Sequence, residues 1–476
     1  MTIRDTTEIA SYNIINGRNR ARQRTHRGTD PRTDQPLWPC PVASKDDLDD
    51  AVAAARSVFR TWADTDIQCR QQALLALADM LAVEKELISG IVCRETGKSK
   101  FMGELEVEHA VNFLRFNATQ FLPEEIVHED DEMKLISTHI PIGVVAAICP
   151  WNFPLVLATA KIAAALLTGN CIIVKPSPFT PYSVLKFAEL AATAAILPSG
   201  VFQTLNGENE LGELMTLHPG IDKISFTGST RTGQRIMENA ARTLKRVTLE
   251  LGGNDASIVF PDVDVDEVAG QVAVGCFFNA GQMCVATKRV YVHEDIYEEF
   301  REKMVTAVKG LMAAPESSSV LGPLQNAMQH AVIQRFIADS REMGHRFALG
   351  QDQSTVSGHF ISPVIIDRPP DDASLVQEEQ FGPIIPLLSW KTEEELLRRA
   401  NDTENGLGAC VWSRDREKAE KFGRRLEVGS LWINSFEKPH PAGYFSGHKK
   451  SGIGGEWGRQ GLLSYCNTQT IHVYKS

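Results

Sequence analysis

Residues 143–177 read GVVAAICPWNFPLVLATAKIAAALLTGNCIIVKPS, and this stretch decides the fold. Its apolar length resembles a membrane span, but two prolines, an asparagine and a lysine interrupt it, and a spanning helix has to stay apolar throughout. It instead predicts a buried strand, a stiff turn between Pro150 and Pro154, a buried helix and a second buried strand. Because parallel strands need a crossover connection, this order predicts a parallel sheet covered by helices.

The same alternation of apolar runs and helices continues to residue 250. A second α/β stretch follows, up to about residue 446. Its strand-like runs include 288–294, 407–413 and 429–434. Ahead of both lies an opening that reads as all-helical, with helical patterns over 47–63 and 69–97. The expected fold class is α/β, with two or three domains, because 476 residues exceed what one hydrophobic core usually serves.

Two alternating segments stand apart from this pattern. Residues 124–141 read as a hairpin, and residues 468–474 read as a single strand. Neither has an obvious partner nearby in the sequence, and unpaired strand edges can recruit another chain. We therefore expect a small β arm that pairs with a second subunit, in a homodimer or a homotetramer.

Composition and charge argue against several classes of protein. Hydrophobic residues make up 43% and charged residues 23% of the chain, as in a soluble globular enzyme. The net charge of −11 argues against general nucleic-acid binding, which requires a basic face. One basic cluster, GRNRARQRTHRG at 17–28, is interpreted as a solvated loop, with a polyanion contact as the alternative.

The nine cysteines are odd in number, and none is spaced as CxxC or as a set of Cys/His metal ligands. They predict neither a disulfide framework nor a zinc site, so no bound metal is expected. The N-terminal residues MTIRDTTEIAS lack the apolar segment of a signal peptide, and their acidic residues argue against a transit peptide. These features favour a reducing, cytoplasmic compartment.

Polar residues follow predicted strands of the first α/β stretch. Asn152 lies between two prolines, where a rigid amide can donate to a reacting oxygen or simply satisfy a structural turn. Lys175 ends the strand CIIVK at the edge where parallel sheets bind ligands, although a lysine there can also reach solvent. Gly228 and Ser229 open a helix whose N-terminus suits a pyrophosphate. The G-x-G-x-x-G fingerprint is missing there, so a capped helix without a ligand is the alternative.

Glu250 and Cys284 are the two reactive side chains that follow. Glu250 ends an apolar strand-like run, so its carboxylate is either paired or has a raised pKa, as a general base has. Cys284 comes 34 residues later, close to Gly281, where the backbone can bend beside the thiol. A lone cysteine is more often an inert apolar residue, so both interpretations stay open at this point.

The order of the motifs is characteristic of one family. From about residue 12 to residue 474 the chain resembles the aldehyde dehydrogenase superfamily. The most specific shared motifs are PWNFP, LELGG, GQxC and FGP. The full set in chain order is NGR at 16–18, DPRT at 30–33, ETGK at 95–98, PWNFP, KPS at 175–177, FTGST with Gly233, LELGGN, FFNAGQMC, EEQFGP, NDTENGLGACVWS, GSLWINSF and KKSGIGGEWG.

The resemblance implies a Rossmann-like cofactor-binding domain, an α/β catalytic domain and a small β oligomerisation arm. The implied bounds are 1–121 and 141–250 for the NAD(P)-binding domain, 251–446 for the catalytic domain, 122–140 and 465–476 for the arm, and 447–464 for a segment that returns to the cofactor side.

The resemblance also implies three catalytic residues. Cys284 would be the nucleophile, Glu250 the general base, and Asn152 the side-chain donor of an oxyanion hole that the backbone N–H of Cys284 completes. The chain would oxidise an aldehyde to the carboxylic acid with NAD(P)+, through a cysteine thiohemiacetal and a thioester that Glu-activated water hydrolyses.

Three alternative functions stay open. A coenzyme A-acylating semialdehyde dehydrogenase is disfavoured, because that branch generally lacks the carboxylate that Glu250 supplies. A non-catalytic structural or binding member of the family is disfavoured by the intact Cys284, Glu250 and Asn152. A Cys–His hydrolase would need a histidine in a recognisable partner motif, and none is present.

The implied cofactor is NAD. Its contacts would be Ile148 and Trp151 along the channel, Lys175 at the adenosine ribose, Gly228 and Ser229 at the pyrophosphate, and Glu379 with Phe381 at the nicotinamide ribose. Pro178 stands where NAD-preferring members often carry a glutamate that binds the ribose hydroxyls. Its presence removes an NAD contact and also a repulsion against a 2′-phosphate, so we expect NAD use with tolerance of NADP.

The aldehyde is only broadly indicated. The residues implied to shape an apolar pocket are Phe153, Met283, Val285 and Phe436, with Met102 placed by family analogy alone. Such a pocket favours a medium-sized apolar or aromatic aldehyde. The C-terminal glycine-rich motif departs from the family pattern, with Gly455 where arginine is common and with Tyr444 and Phe445 near the substrate mouth.

Overall fold

The computed structural model describes residues 9–353 and 357–475; residues 1–8 and 476, which the predicted domain bounds include, lie outside this range. The strands in chain order are β1 Asn13–Ile15, β2 Arg18–Arg20, β3 Thr25–Asp30, β4 Gln35–Pro41, β5 Glu125–Glu129, β6 Met133–Pro141, β7 Val144–Ile148, β8 Cys171–Lys175, β9 Phe202–Thr204, β10 Lys223–Thr227, β11 Arg246–Glu250, β12 Ala256–Val259, β13 Arg289–His293, β14 Arg346–Leu349, β15 Val364–Asp367, β16 Ile384–Trp390, β17 Asn405–Gly406, β18 Gly408–Trp412, β19 Ser430–Ile433, β20 Phe445–Ser446, β21 His448–Lys449, β22 Gly452–Ile453, β23 Gly455–Glu456 and β24 Cys466–Tyr474. The α-helices are α1 Lys45–Ala63, α2 Ile67–Val83, α3 Lys85–Thr96, α4 Lys100–Ala118, α5 Pro154–Leu167, α6 Tyr182–Thr193, α7 Asn209–Leu217, α8 Thr230–Ala241, α9 Val265–Phe277, α10 Tyr297–Met312, α11 Ala327–Glu342, α12 Ser374–Gln377, α13 Glu393–Asn401, α14 Arg416–Gly423 and α15 Gly458–Leu463.

The first sheet has eight strands in the order β2-β1-β9-β8-β7-β10-β11-β22, and the run from β9 to β11 is parallel. Residues 143–177 form β7, α5 and β8, as their sequence predicts. Every residue of α5 is buried, and Pro154 occupies its first turn, where the missing N–H costs no hydrogen bond.

The carboxyl ends of the parallel strands bring the predicted polar residues to one edge. Ile148 is in register with Lys175 on β8, and Thr227 is in register with Glu250 on β11. The chain leaves β7 toward β8 on one side and reaches β10 later on the other side. A crevice outside the carboxyl ends of such strands is where open α/β sheets bind ligands.

The second sheet has seven strands in the order β14-β15-β16-β13-β12-β18-β19, all parallel except the edge strand β14. Helix α9 leads from β12 to the loop that carries Cys284, and this loop enters β13 at its amino end. Glu250 ends β11 of the first sheet, so the predicted base and nucleophile come from different sheets.

The arm is a three-stranded sheet in the order β24-β6-β5. The hairpin and the C-terminal strand, which have no partner nearby in the sequence, pair with each other: β24 pairs with β6 along its whole length, from Cys466 with Pro141 to Tyr474 with Met133. Ile126 and Val127 on β5 and Val473 on β24 are exposed apolar side chains on this sheet.

The opening of the chain also differs from its expected form. Strands β1 to β4 precede the helices, and the predicted helix over 69–97 is two helices that meet at Glu84. The basic cluster at 17–28 is not a free solvated loop: Arg20 and Arg22 pair with Asp47 at the start of α1, at 3.4 and 2.5 Å. The cluster is therefore explained by ion pairs with α1, whose N-terminus Asp47 also caps.

Within the described ranges, no helix combines the length and the apolar character that crossing a bilayer demands. The apolar helix α5, which the sequence marks as the nearest to a span, has 14 residues and is enclosed by protein.

A buried ion pair fixes the turn that precedes α5. Glu106 on α4 accepts hydrogen bonds from the backbone N–H groups of Leu155 and Val156, at 2.9 and 3.4 Å. Its other oxygen lies 2.5 Å from the Lys98 ammonium, and both side chains are almost fully buried. One carboxylate therefore caps the first turn of α5 and neutralises a buried lysine.

We expect Glu106→Gln to lower the free energy of unfolding by about 3–5 kcal/mol, because it leaves the Lys98 charge buried without a counter-ion. The matched control is Glu108→Gln on the same helix, where an exposed pair with Lys85 is lost at a cost of about 1 kcal/mol or less. Urea unfolding followed by circular dichroism measures both. Equal midpoints for the two variants would contradict the role given to Glu106.

Candidate active site

The loop before Cys284 has an unusual backbone. Asn279 and Ala280 have positive φ angles of 53° and 55°, and Gly281 follows at 74°. A left-handed conformation costs a non-glycine residue about 1–2 kcal/mol, so two in succession ahead of a glycine persist only where surrounding contacts enforce them. At Gly281 a Cβ atom would also lie 2.5 Å from the Gly382 carbonyl oxygen, so a side chain has no room there.

The Gln282 side chain holds this loop in place. Its Nε2 donates to the carbonyls of Asn279 and Pro323, at 3.0 and 3.1 Å, and its Oε1 accepts from the backbone N–H of Gln325 at 2.8 Å. The conformation of the nucleophile loop is therefore set by contacts between distant parts of the chain.

Cys284 and Glu250 meet directly. The Cys284 thiol donates to Oε1 of Glu250 at 3.2 Å, and the Thr227 hydroxyl donates to Oε2 at 2.9 Å. Burial raises the pKa of the Glu250 carboxyl, and the Lys161 charge opposes this shift. Burial and the neighbouring Glu250 also raise the pKa of the Cys284 thiol. A thiol and a carboxylate thus share a proton in a half-buried position.

Asn152 lies against the same loop. Its side chain is buried, and Nδ2 donates to the Gln282 carbonyl at 3.1 Å. Its own carbonyl accepts from the Lys98 ammonium at 2.7 Å, and that ammonium sits 3.7 Å from the centre of the Phe153 ring. The backbone carbonyl and the side-chain Nδ2 of Asn152 are therefore both held, and the side chain keeps a second N–H for another acceptor.

A buried ion pair lies beyond Glu250. Lys161 on α5 is 2.6 Å from Oε1 of Glu456, and the Ser225 hydroxyl donates to the same oxygen. Sequence reasoning noted Lys161 only as an interruption of an apolar run and did not single out Glu456. The pairing joins helix α5 to the C-terminal segment, and its 295-residue separation leaves no local sequence signal.

Lys288 is a further residue that the sequence analysis missed. Its ammonium donates to the carbonyls of Met283, Cys284 and Ala286, and it lies 3.7 Å from Oε1 of Glu379. The available signal was a charged residue four positions after the cysteine in an otherwise apolar run.

The predicted cofactor residues line the edge that ends β7, β8 and β10. Lys175 is buried, and among the described residues its ammonium makes one long hydrogen bond, 3.4 Å to the Pro176 carbonyl. Burial lowers the pKa of Lys175 to about 8. Ile148 ends the neighbouring strand and is buried. The edge therefore carries a cation without a carboxylate partner, which suits an anionic or hydroxyl-rich ligand.

Helix α8 supplies the expected pyrophosphate position. Ser229 is its exposed N-cap residue and accepts from the Thr232 N–H at 3.3 Å. The Gly228 N–H donates to the Glu250 carbonyl at 3.0 Å, and a Cβ on Gly228 would strike the Phe226 ring. The turn at Gly228, which is predicted to bind the cofactor, is thus bonded to Glu250, the predicted base.

Glu379 and Phe381 approach from the second α/β region. Oε1 of Glu379 accepts from the Gly253 N–H at 3.1 Å, and burial raises the pKa of its carboxyl. The Phe381 ring meets Trp151 edge-on at 5.4 Å. The site residues expected for the nicotinamide end are therefore assembled near Cys284.

An apolar cluster packs against Cys284. Met283 and Cys284 pack with Val285, Leu407, Phe445, Trp432 and Trp457. Phe445 stacks on Trp457 at 4.6 Å. Phe153 lies outside this cluster and stacks on Phe278, with the ring centres 6.4 Å apart. Sequence reasoning placed Phe445 near the substrate mouth but missed Trp457, whose position depends on the fold of the C-terminal segment.

Two predicted pocket residues lie outside that cluster. Phe436 packs against the core beneath β12, β13 and β18, and its Cβ approaches Gly275 on α9. Met102 is buried at the start of α4, where its N–H donates to Ser99. Their assignment to the substrate pocket stays a prediction.

Across residues 9–353 and 357–475, no group of three or more His, Cys, Asp and Glu side chains is arranged to hold a metal ion. The residues that converge on Cys284 are instead a carboxyl, an amide and an ammonium. This set can deprotonate a thiol and stabilise an oxyanion.

Known proteins share the whole architecture. The profile of the Aldehyde dehydrogenase family matches residues 19–471. Aldehyde dehydrogenase LUC3 of a Fusarium species is 41% identical over 466 residues, which is 98% of this chain and 99% of LUC3. The NAD+ complex of an aldehyde dehydrogenase from Bacillus cereus superposes with a TM-score of 0.93 at 32% identity, over 98% of this chain and 97% of that one.

An NADP dependent enzyme of E. coli gives a TM-score of 0.95 at 32% identity, over 99% of this chain and 100% of that chain. The expected fold class, with a Rossmann-like region, an α/β catalytic region and a β arm, is confirmed by these structures. The chain belongs to the aldehyde dehydrogenase family.

Proposed function

We propose that this aldehyde dehydrogenase converts its aldehyde to the free carboxylic acid through covalent catalysis by Cys284. The observation that carries the proposal is the 3.2 Å contact between the Cys284 thiol and Glu250, at the edge where cofactor-binding residues converge. A thiol beside a buried carboxylate is an activated nucleophile, because the carboxylate can take its proton.

The first step is attack of Cys284 on the aldehyde carbon. The thiol proton passes to Glu250, a carbon–sulfur bond forms, and the carbonyl electron pair moves onto oxygen. The second N–H of the Asn152 amide and the backbone N–H of Cys284 stabilise that oxyanion. Loss of one such donor typically costs about 3–4 kcal/mol of transition-state stabilisation.

The second step requires a hydride acceptor, and a bound nicotinamide supplies that chemistry. Glu379, Phe381 and Trp151 are the residues that would hold it, and the Trp151 and Phe381 rings meet edge-on at 5.4 Å. Loss of the hydride leaves a thioester on Cys284.

Hydrolysis of the thioester returns the enzyme. Glu250 first releases the thiol proton to solvent and then takes a proton from water; the resulting hydroxide adds to the thioester carbon, the carbon–sulfur bond breaks to release the acid, and Glu250 returns its proton to the departing Cys284 thiolate. Because burial raises the pKa of Glu250, this base becomes available as the pH rises through that raised value. The carboxylate supports transfer to water rather than to coenzyme A.

Cys284→Ala is expected to abolish aldehyde oxidation with cofactor affinity nearly unchanged, whereas Cys69→Ala, at an exposed cysteine, leaves the rate unchanged. Glu250→Gln is expected to give at most one equivalent of reduced cofactor per site, and to give it more slowly than wild type, because the thiol and the thioester then both lack their base. Stopped-flow absorbance of the reduced cofactor measures the burst. Steady turnover by Glu250→Gln near the wild-type rate contradicts the base assignment, and coenzyme A esters among the products contradict hydrolysis.

We further propose that the cofactor is NAD, with NADP tolerated. Lys175 and Ser229 fit the ribose and the pyrophosphate of a dinucleotide, because one offers a buried cation and the other an exposed helix N-terminus. Pro178 brings no negative charge to repel a 2′-phosphate. The structural relatives are an NAD+ complex and an NADP dependent enzyme, which supports use of either.

Pro178→Glu is expected to raise the preference for NAD over NADP at least tenfold, because a carboxylate there accepts from the ribose hydroxyls and repels a phosphate; a tenfold change corresponds to about 1.4 kcal/mol. Pro198→Glu adds the same charge on an exposed loop and is the control. The ratio of kcat/KM for the two cofactors is the measurement. A wild-type ratio above about a hundred in favour of NAD contradicts tolerance, since it is about 2.7 kcal/mol of discrimination.

The substrate class follows from the apolar cluster around Cys284. Met283, Val285 and Phe445, with Trp457 behind, favour a medium-sized apolar or aromatic aldehyde. Phe153 would extend this apolar surface along the path by which the aldehyde reaches Cys284.

We also propose a homodimer or homotetramer in the cytoplasm, with the domain bounds that the resemblance implies. The exposed apolar side chains of the arm support assembly, since a three-stranded sheet with open edges can pair with another subunit. The pairing of β22 with β11 supports the return of residues 447–464 to the cofactor side. The scattered cysteines support a reducing compartment.

A further inference from the structure

Lys288 is buried directly beneath the nucleophile. Only 2% of the residue is exposed, yet the side chain ends in an ammonium group. Its nitrogen lies 2.8 Å from the Met283 carbonyl, 2.6 Å from the Cys284 carbonyl and 3.1 Å from the Ala286 carbonyl. An ammonium has three N–H donors, so the loop accounts for all of them.

In the described part of the chain a single carboxylate, that of Glu379, forms a salt bridge with this ammonium, and the pair is long. The nearest carboxylate contact is Oε1 of Glu379 at 3.7 Å, which is beyond hydrogen-bond distance. Carbonyl oxygens compensate the loss of hydration but carry no net charge. The Lys288 charge therefore acts on its surroundings, and the Cys284 sulfur is part of them.

The shape of the loop depends on the same contacts. The Cys284 carbonyl is directed at Lys288, and this contact fixes the plane of the Cys284–Val285 peptide group. Gly253 closes the other flank, since a Cβ there would lie 2.6 Å from the Cys284 carbonyl oxygen. Glu379 bonds to the Gly253 N–H at 3.1 Å. The loop is thus clamped between Lys288 and the segment that carries Glu379.

We propose that Lys288 is a positioning residue that holds the Cys284 loop through three carbonyls and stabilises the Cys284 thiolate by its charge. The inference rests on the proposed function for the identity of the nucleophile. Three titratable groups act on Cys284: Glu250 and Asp255 raise the pKa of the thiol, as burial does, and Lys288 opposes them. Lys288 is therefore the group whose charge opposes the effect of the Glu250 and Asp255 carboxyls on the pKa of the thiol.

The test measures thiol reactivity without aldehyde or cofactor. Iodoacetamide alkylation of Cys284 is followed against pH by peptide mass spectrometry, with the exposed Cys69 in the same samples as reference. In Lys288→Met the alkylation of Cys284 at pH 8 is expected to slow about tenfold or more, because an opposite charge nearby commonly shifts a pKa by about 1–3 units. The rate at Cys69 stays unchanged. Alkylation of Cys284 at the wild-type rate across the pH range overturns the proposal.

Lys449→Met is the matched control. Lys449 also binds loop carbonyls, those of Asn401 and Thr403 at 2.7 and 3.1 Å, but on the β17–β21 pair rather than at the nucleophile. It is expected to leave the alkylation profile of Cys284 unchanged. A slowing in this variant equal to that in Lys288→Met would show a general effect of losing a loop-binding lysine and would overturn the proposal.

Lys288→Arg separates charge from geometry, and it keeps the proposal testable should the methionine variant fail to fold. A planar guanidinium keeps the charge but does not converge on three carbonyls as an ammonium does. We expect the alkylation profile to stay within about twofold of wild type, since the charge persists, and kcat to fall at least tenfold with unchanged cofactor affinity. Wild-type kcat in Lys288→Arg overturns the positioning role. If the Lys288 variants change the alkylation profile as expected but the wild-type protein oxidises no aldehyde, the result contradicts the proposed function and leaves the role of Lys288 supported.

Discussion

The hydrogen bond between the Cys284 thiol and the Glu250 carboxyl is the contact on which the rest of the site depends. It joins the end of a strand in the first sheet to a loop entering a strand in the second sheet, so it exists only if the two sheets are held in a fixed relation. Burial raises the pKa of both partners, so the thiol keeps its proton and donates it to Glu250, and the proposed attack requires transfer of that proton to the carboxylate. The fold therefore fixes the position of the two side chains relative to each other, and their burial sets the direction of their pKa shifts.

Buried lysines recur behind the residues that carry the chemistry. Lys98 donates to the carbonyl of Asn152, Lys161 lowers the pKa of Glu250 against the effect of burial, and Lys288 donates to the carbonyl of Cys284. Lys98 and Lys161 each have a close carboxylate partner, at 2.5 and 2.6 Å. Lys288 differs, because its three donors are taken by carbonyls and its salt bridge with Glu379 is longer, at 3.7 Å. Lys98 and Lys288 thus hold the backbone at Asn152 and Cys284, whereas Lys161 acts on Glu250 through its charge.

The sequence predicts the elements with strong local signals and misses those set by distant contacts. Residues 143–177 carry a complete strand–helix–strand pattern, and the structure reproduces it. The break at Glu84 and strands β1 to β4 lack such a signal. The reactive residues are marked by unusual polarity in apolar runs, as Glu250 is. Lys98 and Lys288 gain their importance only from carbonyls that the folded backbone brings to them, so composition and spacing could not identify their partners.

The most direct test of the account is the mass of the Cys284 peptide in Glu250→Gln after mixing with aldehyde and NAD and rapid acid quenching. Covalent catalysis with a carboxylate-dependent hydrolysis predicts a stable adduct on Cys284 whose mass is that of the aldehyde less two hydrogen atoms, the value for a thioester rather than a thiohemiacetal. Formation of the carboxylic acid by this variant at the wild-type rate, with Cys284 unmodified, would contradict the central claim.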